Sequence, residues 1–266
     1  MPLSRSQTLT ADEILRTAHA TISAFLSLGI QGCFFGSVAC LCYGATRVPN
    51  DVDVVITSAN PIGVPWDQEH LKDLLVQTDQ SFYAISSRNP SANYRLLYYD
   101  LSGSSRVSRE LRRCCKVDVL VPGSMNIPPI PSSSVVWQLE QRYFPPRELP
   151  VLPFILLLLM KLQGWMDHGN SQAVHKRAKQ PTDVRDIREL LTLSAAPRKA
   201  NLNAWLEMKR EGWIPQSFVN QGQMRVREFV RRYPDTEKAW RQIGLGYLPV
   251  TIKFPSGTLW VPGGPK

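Results

Sequence analysis

The chain has 266 residues, 43% of them apolar, with 31 Lys and Arg against 22 Asp and Glu, a formal net charge of +9. This length and apolar content exclude a disordered chain and allow one large or two modest domains with a real core. The basic excess suits a polyanionic partner such as RNA or a nucleotide, or simply a soluble basic protein.

The N-terminus, MPLSRSQTLTADE, is polar, and no secretory signal is expected in it. A first helix is announced by Thr10 and Glu13, which match a capping box, and by an apolar face of Ile14, Leu15, Ala18, Ile22, Phe25 and Leu26. Gly29 is placed to end it. A short strand at Cys33 to Phe35 runs into Gly36-Ser37, and a second helix follows from about Val38 to Tyr43, closing at Gly44. Strand-like runs come next at Val52 to Thr57, Phe82 to Ser86, Tyr94 to Leu101 and Lys116 to Pro122, with a helical pattern between Pro65 and Gln77. This order fits an α+β domain, a mixed sheet with helices on one side.

Pro and Ser dominate from Pro122 to Ser134, and Pro145-Pro146 follows, which marks a boundary. Beyond it the pattern reads helical. VLPFILLLLM, Val151 to Met160, is too short for the roughly 20 residues of a membrane span and is followed by Lys161, so it reads as a buried helix reaching about His168. A further helix starts near Thr182 as its cap, with Val184, Ile187, Leu190 and Leu191 on one face. Helical patterns recur at Leu202 to Lys209, Ser217 to Arg232 and Thr236 to Ile243. The last stretch, from Tyr247 with Trp260 as a possible anchor, is Gly- and Pro-rich. The expected division is 1–150 for a first domain, 151–245 for a helical domain and 246–266 for an irregular tail.

The five cysteines, Cys33, Cys40, Cys42, Cys114 and Cys115, form no CxxC pair and have no His partner at zinc spacing. They read as reduced, mostly packed thiols of a cytoplasmic or nuclear protein.

The chemistry concentrates in three acids. On a strand, Asp51 and Asp53 point the same way, about 7 Å apart along the chain, while Val52, Val54 and Val55 are left for the core. Two carboxylates that close repel each other, and desolvation makes this worse, so they call for a cation. Oxygen ligands with no nearby His or Cys suit a hard ion such as Mg²⁺ or Mn²⁺. Asp118 lies alone in another apolar strand; it either joins the pair, caps a turn or pairs with a local Arg. Gly36 lets a ligand approach the backbone, and Ser37 offers a hydroxyl at a helix start, where free N–H groups attract phosphate.

Phe35-Gly36-Ser37, a gap of about a dozen residues and then Asp51-Val52-Asp53 resemble the signature of the nucleotidyltransferase superfamily with the DNA polymerase β-like fold. Asp118 matches the superfamily's third acid. The finer pattern, GSVACLCYGATRVPNDVDV, looks like the aminoglycoside and lincosamide nucleotidyltransferases and the toxin nucleotidyltransferases, which commonly carry an Arg shortly before the acids, as Arg47 is here. KLQGWMDHGN…KRAKQPTDVRDIRELL, Lys161 to Leu191, resembles the second half of the toxin-type enzymes: Lys161 matches a lysine thought to hold nucleotide phosphates, and Asp183 and Asp186 match an Asp-x-x-Asp helix.

The resemblance implies a polymerase β-like catalytic domain followed by a helical domain that completes the nucleotide site. It implies metal-dependent transfer of a nucleoside monophosphate from a nucleoside triphosphate (ATP among them) to an acceptor hydroxyl. Asp51, Asp53 and Asp118 would hold two metal ions and carry the catalysis. Gly36, Ser37, Arg47, Lys161 and Asp183 would bind the nucleotide. Arg47 either touches phosphate or pairs with an acid, Lys161 either binds phosphate or snorkels to water, and Asp183 either joins the site or complements a helix dipole. Asp186 is expected to be an exposed partner of Arg185 or of a neighbour one turn away. Basic clusters at Arg106, Arg109, Arg112, Arg113 and Lys116, at Lys176, Arg177 and Lys179, and at Arg225, Arg227, Arg231 and Arg232 are either solvated faces or contacts for an RNA backbone. RNA, in particular a tRNA end, is the expected acceptor. The alternatives are a small hydroxylated molecule, a protein, or a non-catalytic nucleotide- or RNA-binding relative.

Overall fold

The computed structural model describes residues 8–87, 93–102, 113–140, 147–194 and 210–245. Helix α1 (Ala11–Ser27) opens on the expected capping box. The Thr10 side chain accepts from the Glu13 N–H, the Glu13 carboxylate accepts from the Thr10 N–H, and Gly29 takes φ +72° just past the helix end. Then come β1 (Gly32–Phe34), α2 (Gly36–Cys42), β2 (Asp51–Ile56), α3 (Gln68–Thr78), β3 (Phe82–Ser86), β4 (Arg95–Asp100) and β5 (Cys114–Leu120).

The strands join one mixed sheet of seven, in the order β3-β4-β5-β2-β1-β7-β6. Two of them, β6 (Val136–Glu140) and β7 (Arg147–Val151), lie beyond the proline-rich boundary where only helix was expected. Their signal is masked by prolines, and one of these, Pro150, is inside β7 opposite Trp137. Pro offers no N–H to a ladder; β7 tolerates it because β1 pairs with β7 only at Phe34↔Val151.

That short parallel pairing positions the second half of the molecule. The chain leaves β7 with the Leu152 N–H donating to the Phe34 carbonyl (2.9 Å). It then enters α4 (Phe154–Asn170). The Tyr43 hydroxyl donates to the Leu152 carbonyl at 2.7 Å, and its ring meets Phe154 edge-on at 5.0 Å, so α2 and the start of α4 are held together. Phe154 to Met160 are all buried, as a core helix requires. No helix among the described residues is long and apolar enough to cross a membrane.

Helix α4 is the spine on which α5 (Val174–Arg177), α6 (Gln180–Ser194) and α7 (Gln216–Arg232) pack, with α8 (Glu237–Gln242) against α6. Trp165 of α4 meets Phe229 of α7 edge-on at 5.0 Å, and Gly222 lets α7 close on Leu159, where a Cβ would come within 3.3 Å. Helix α6 begins at Gln180, so Thr182 lies inside its first turn and is not the cap. The patterns expected at 202–209 and 247–266 lie outside the described residues, as do Arg106, Arg109 and Arg112.

Candidate active site

Strands β2 and β5 run side by side in parallel, with Asp53 opposite Asp118 and Asp51 opposite Lys116. Strand alternation turns Val52, Val54, Val117 and Val119 into the core and leaves the acids partly open. Oxygens of Asp51, Asp53 and Asp118 all lie within 4.8 Å of one another. The three acids predicted to converge do so. Burial, together with the charges of Asp51 and Asp118, pushes the Asp53 carboxyl up to about 7.

Gly36 closes the floor beneath them. It sits at φ +60°, and a Cβ there would fall inside the Asp53 carboxylate. The Phe35 N–H donates to the Asp53 carbonyl (3.1 Å), which fixes the start of α2 against β2. The three carboxylates therefore meet the donor set of a hard divalent ion, and the glycine keeps one face of that set clear.

Ser37 opens the other end of the site. Its hydroxyl accepts from Lys161 Nζ at 3.1 Å and from Arg47 Nη2. Both cations also reach Asp186: Arg47 through Nε to Oδ1 (2.7 Å) and Nη2 to Oδ2 (2.6 Å), Lys161 through Nζ to Oδ2 (2.7 Å). Asp186 is thus a buried hub, 2% exposed, rather than the exposed surface partner expected from sequence. Its carboxyl is buried, which alone would raise its pKa, but the two cations hold it below the ordinary aspartate value. The Thr46 N–H donates to Glu189 Oε1 at 2.7 Å, so the loop before β2 is pinned to α6 at two points.

Asp183, one turn before Asp186, is also buried. Its Oδ2 lies 2.6 Å from His168 Nδ1 on α4, and desolvation raises its pKa. His168 follows Lys161 by seven residues, two turns or about 10 Å along the same helix face. Asp183, His168 and Lys161 line a cleft of about 950 Å³ that also takes in Lys116, Lys176, Lys179, Thr182 and Tyr94. Lys116 donates to Asp118 Oδ2 at 2.6 Å. Across the cleft Lys72 and Arg95 are held by Glu69, and Arg95 also by Asp73. Lys176 and Lys179 form no ion pair among the described residues, which leaves them as open positive charge in the cleft.

Every expected site residue that binds through a side chain, namely Ser37, Arg47, Asp51, Asp53, Asp118, Lys161 and Asp183, lines this one cleft, with Gly36 beneath Asp53. Sequence reasoning missed His168 and treated Lys116 only as part of a basic patch. Their signals were the seven-residue spacing from Lys161 and the i, i+2 relation to Asp118. In the late basic cluster Arg225 is buried, whereas Arg231 and Arg232 are exposed and share Glu228 as their partner. Arg113 is taken by Glu13.

No protein-family model and no curated protein matches the chain. Among solved structures it is similar to an antigenic nucleotidyltransferase-like protein from Paracoccidioides brasiliensis, at 17% identity and a TM-score of 0.58, over 88% of this chain and 94% of that one. It also matches terminal uridylyl transferase 4 from Trypanosoma brucei, with bound GTP, at 15% identity and a TM-score of 0.30, over 70% of this chain and 52% of that one. The first likeness spans nearly the whole of both chains and establishes the fold: an α+β, polymerase β-like nucleotidyltransferase fold.

Proposed function

We propose that the protein is a divalent-metal-dependent nucleotidyltransferase that moves a nucleoside monophosphate from a nucleoside triphosphate to a hydroxyl of RNA. The observation that carries this reading is the convergence of Asp51, Asp53 and Asp118 within 4.8 Å, above a glycine that no other residue can replace without striking Asp53. Residues 1–150 are taken as the catalytic domain, 151–245 as the helical domain that completes the nucleotide site and 246–266 as a tail.

Bound Mg²⁺ or Mn²⁺ would supply positive charge to the triphosphate and to the attacking hydroxyl. Asp51 and Asp53 would hold the ion that accompanies the triphosphate. Asp53 and Asp118 would hold the one beside the acceptor. Gly36 lets phosphate oxygens come close to the backbone. The Ser37 hydroxyl and the Lys161 ammonium, 3.1 Å apart, would donate to the outer phosphates, with Arg47 keeping both in place through Asp186. Asp183 would act by orienting His168, two turns farther along α4, which lines the cleft together with Lys176 and Lys179. In-line transfer to the acceptor oxygen would then release pyrophosphate.

RNA is favoured as acceptor because Lys176 and Lys179, away from the acid cluster that the metal would neutralise, add positive charge to the cleft without an ion pair among the described residues, which suits a phosphate backbone. The five cysteines are free, which suits a reducing, cytoplasmic setting.

The test is to incubate the purified protein with Mg²⁺, each of the four α-labelled triphosphates and a fractionated cell extract. Label in the RNA fraction is expected. Label confined to the small-molecule or protein fraction would overturn RNA as acceptor while keeping transfer, and label in no fraction would overturn the transferase reading.

A further inference from the structure

Lys116 sits where the proposed reaction would need a metal ion. Alternation on β5 puts it on the same face as Asp118, and the register with β2 sets Lys116 opposite Asp51 and Asp118 opposite Asp53. Four side chains thus form a square on two adjacent strands: three carboxylates and one ammonium. The lysine Nζ is 2.6 Å from Asp118 Oδ2, and both side chains are only about one-third exposed, at 33% and 35%.

We infer that Lys116 is a built-in cation that closes the second ion position, so that the resting protein takes one divalent ion at Asp51 and Asp53 and admits another only when Lys116 leaves Asp118. The charge balance gives the reason. With all three acids ionised, Lys116 leaves two net negative charges in a partly desolvated site, and one divalent ion neutralises them. A second ion would place excess positive charge beside the ammonium, which is costly at such distances and reduced dielectric. A triphosphate brings the negative charge that changes this balance. Lys116 is free to move because its stem is on the open face of the sheet and, among the described residues, its only side-chain hydrogen bond is to Asp118. The device would prevent the acceptor hydroxyl from being activated before the nucleotide is in place. The inference rests on the metal site proposed above.

The test is Mn²⁺ binding to the full chain, followed by calorimetry and by the electron paramagnetic resonance of free Mn²⁺, in the wild type, Lys116→Met and Lys116→Arg. Thermal unfolding checks that each variant is folded. The expected result is one ion per chain in the wild type and in Lys116→Arg, and two in Lys116→Met, with the second site tightened by about tenfold or more. Two equivalent ions in the wild type, or a Lys116→Met protein that binds as the wild type does, would overturn the inference and leave the metal site standing. No Mn²⁺ bound by any of the three would overturn the metal site, and the proposed transferase with it.

Discussion

Asp53 lines the cleft and Asp186 is buried behind its Arg47 and Lys161, and the surroundings of the two carboxylates are opposite. Asp186 is met by an arginine and a lysine that reach it from the loop before β2 and from α4, and its pKa stays below the ordinary value. Asp53 faces two more carboxylates, and its pKa rises to about 7. The protein itself supplies the countercharge for the first. Asp53 has no ion pair among the described residues, and in the proposed function a bound divalent ion would supply its countercharge. Burial alone does not separate a structural acid from a functional one; the source of the compensating charge does.

The largest effect expected from breaking this contrast is at Asp53. Asp53→Asn should lower nucleotidyl transfer by about a thousandfold or more, because it removes a shared ligand of both ion positions. The same change should raise the thermal midpoint of the metal-free protein at neutral pH by about 2–4 °C, since it relieves like-charge repulsion. Differential scanning calorimetry with chelator present would measure the second effect, and a lower midpoint would refute it.

Asp186→Ala should do the reverse to stability. It strands Arg47 and Lys161 without their countercharge, at a cost of about 3–5 kcal/mol, read from urea unfolding. A loss below about 1 kcal/mol would mean the cluster of Asp186 with Arg47 and Lys161 is not a structural element.

The two acids also predict opposite pH dependences. Asp53 binds its proton more tightly folded than unfolded, so metal-free stability should fall as pH rises from about 4 through about 7, by no more than a few kcal/mol. Asp186 binds its proton less tightly folded, so its contribution is complete above about 4 and is lost only on further acidification. Asp53→Asn should weaken the decline toward neutral pH, leaving the part due to the raised pKa of Asp183, and saturating Mn²⁺ should offset the Asp53 part.

Smaller effects test the edges of the comparison. Gly36→Ala forces a side chain into a left-handed backbone against Asp53 and should cost about 1–3 kcal/mol of stability while it lowers turnover. Replacing Lys176 and Lys179 together with Ala should raise the KM for RNA about threefold and leave kcat near its wild-type value, as befits exposed charges.

The acid cluster was legible in the sequence because its rule is local. A period of two places Asp51 and Asp53 on one face, and Asp118 stands out in an apolar strand. The fold class followed from the same strands. The cluster of Asp186 with Arg47 and Lys161 was harder to read. Asp183, Asp186, Ile187 and Leu190 share one helix face at i, i+3, i+4 and i+7, which marks both acids as buried, yet Asp186 read as a surface residue because its partner Arg47 lies 139 residues away. Strands β6 and β7 were hidden for a similar reason. Pro150 contradicts a strand locally, and only the single-residue contact of β7 with β1 explains why it is allowed.

The most direct test of the central claim, that Asp51, Asp53 and Asp118 form a metal-dependent transfer site, is to follow the two ends of the substrate separately in the wild type and Asp53→Asn. With Mg²⁺ and RNA, the wild type should transfer label from the α-phosphate to RNA, release label from the γ-phosphate as pyrophosphate, and do neither with chelator, while Asp53→Asn does neither under any condition. Equal transfer by the two proteins, or transfer of the γ-label to the acceptor, would contradict the account.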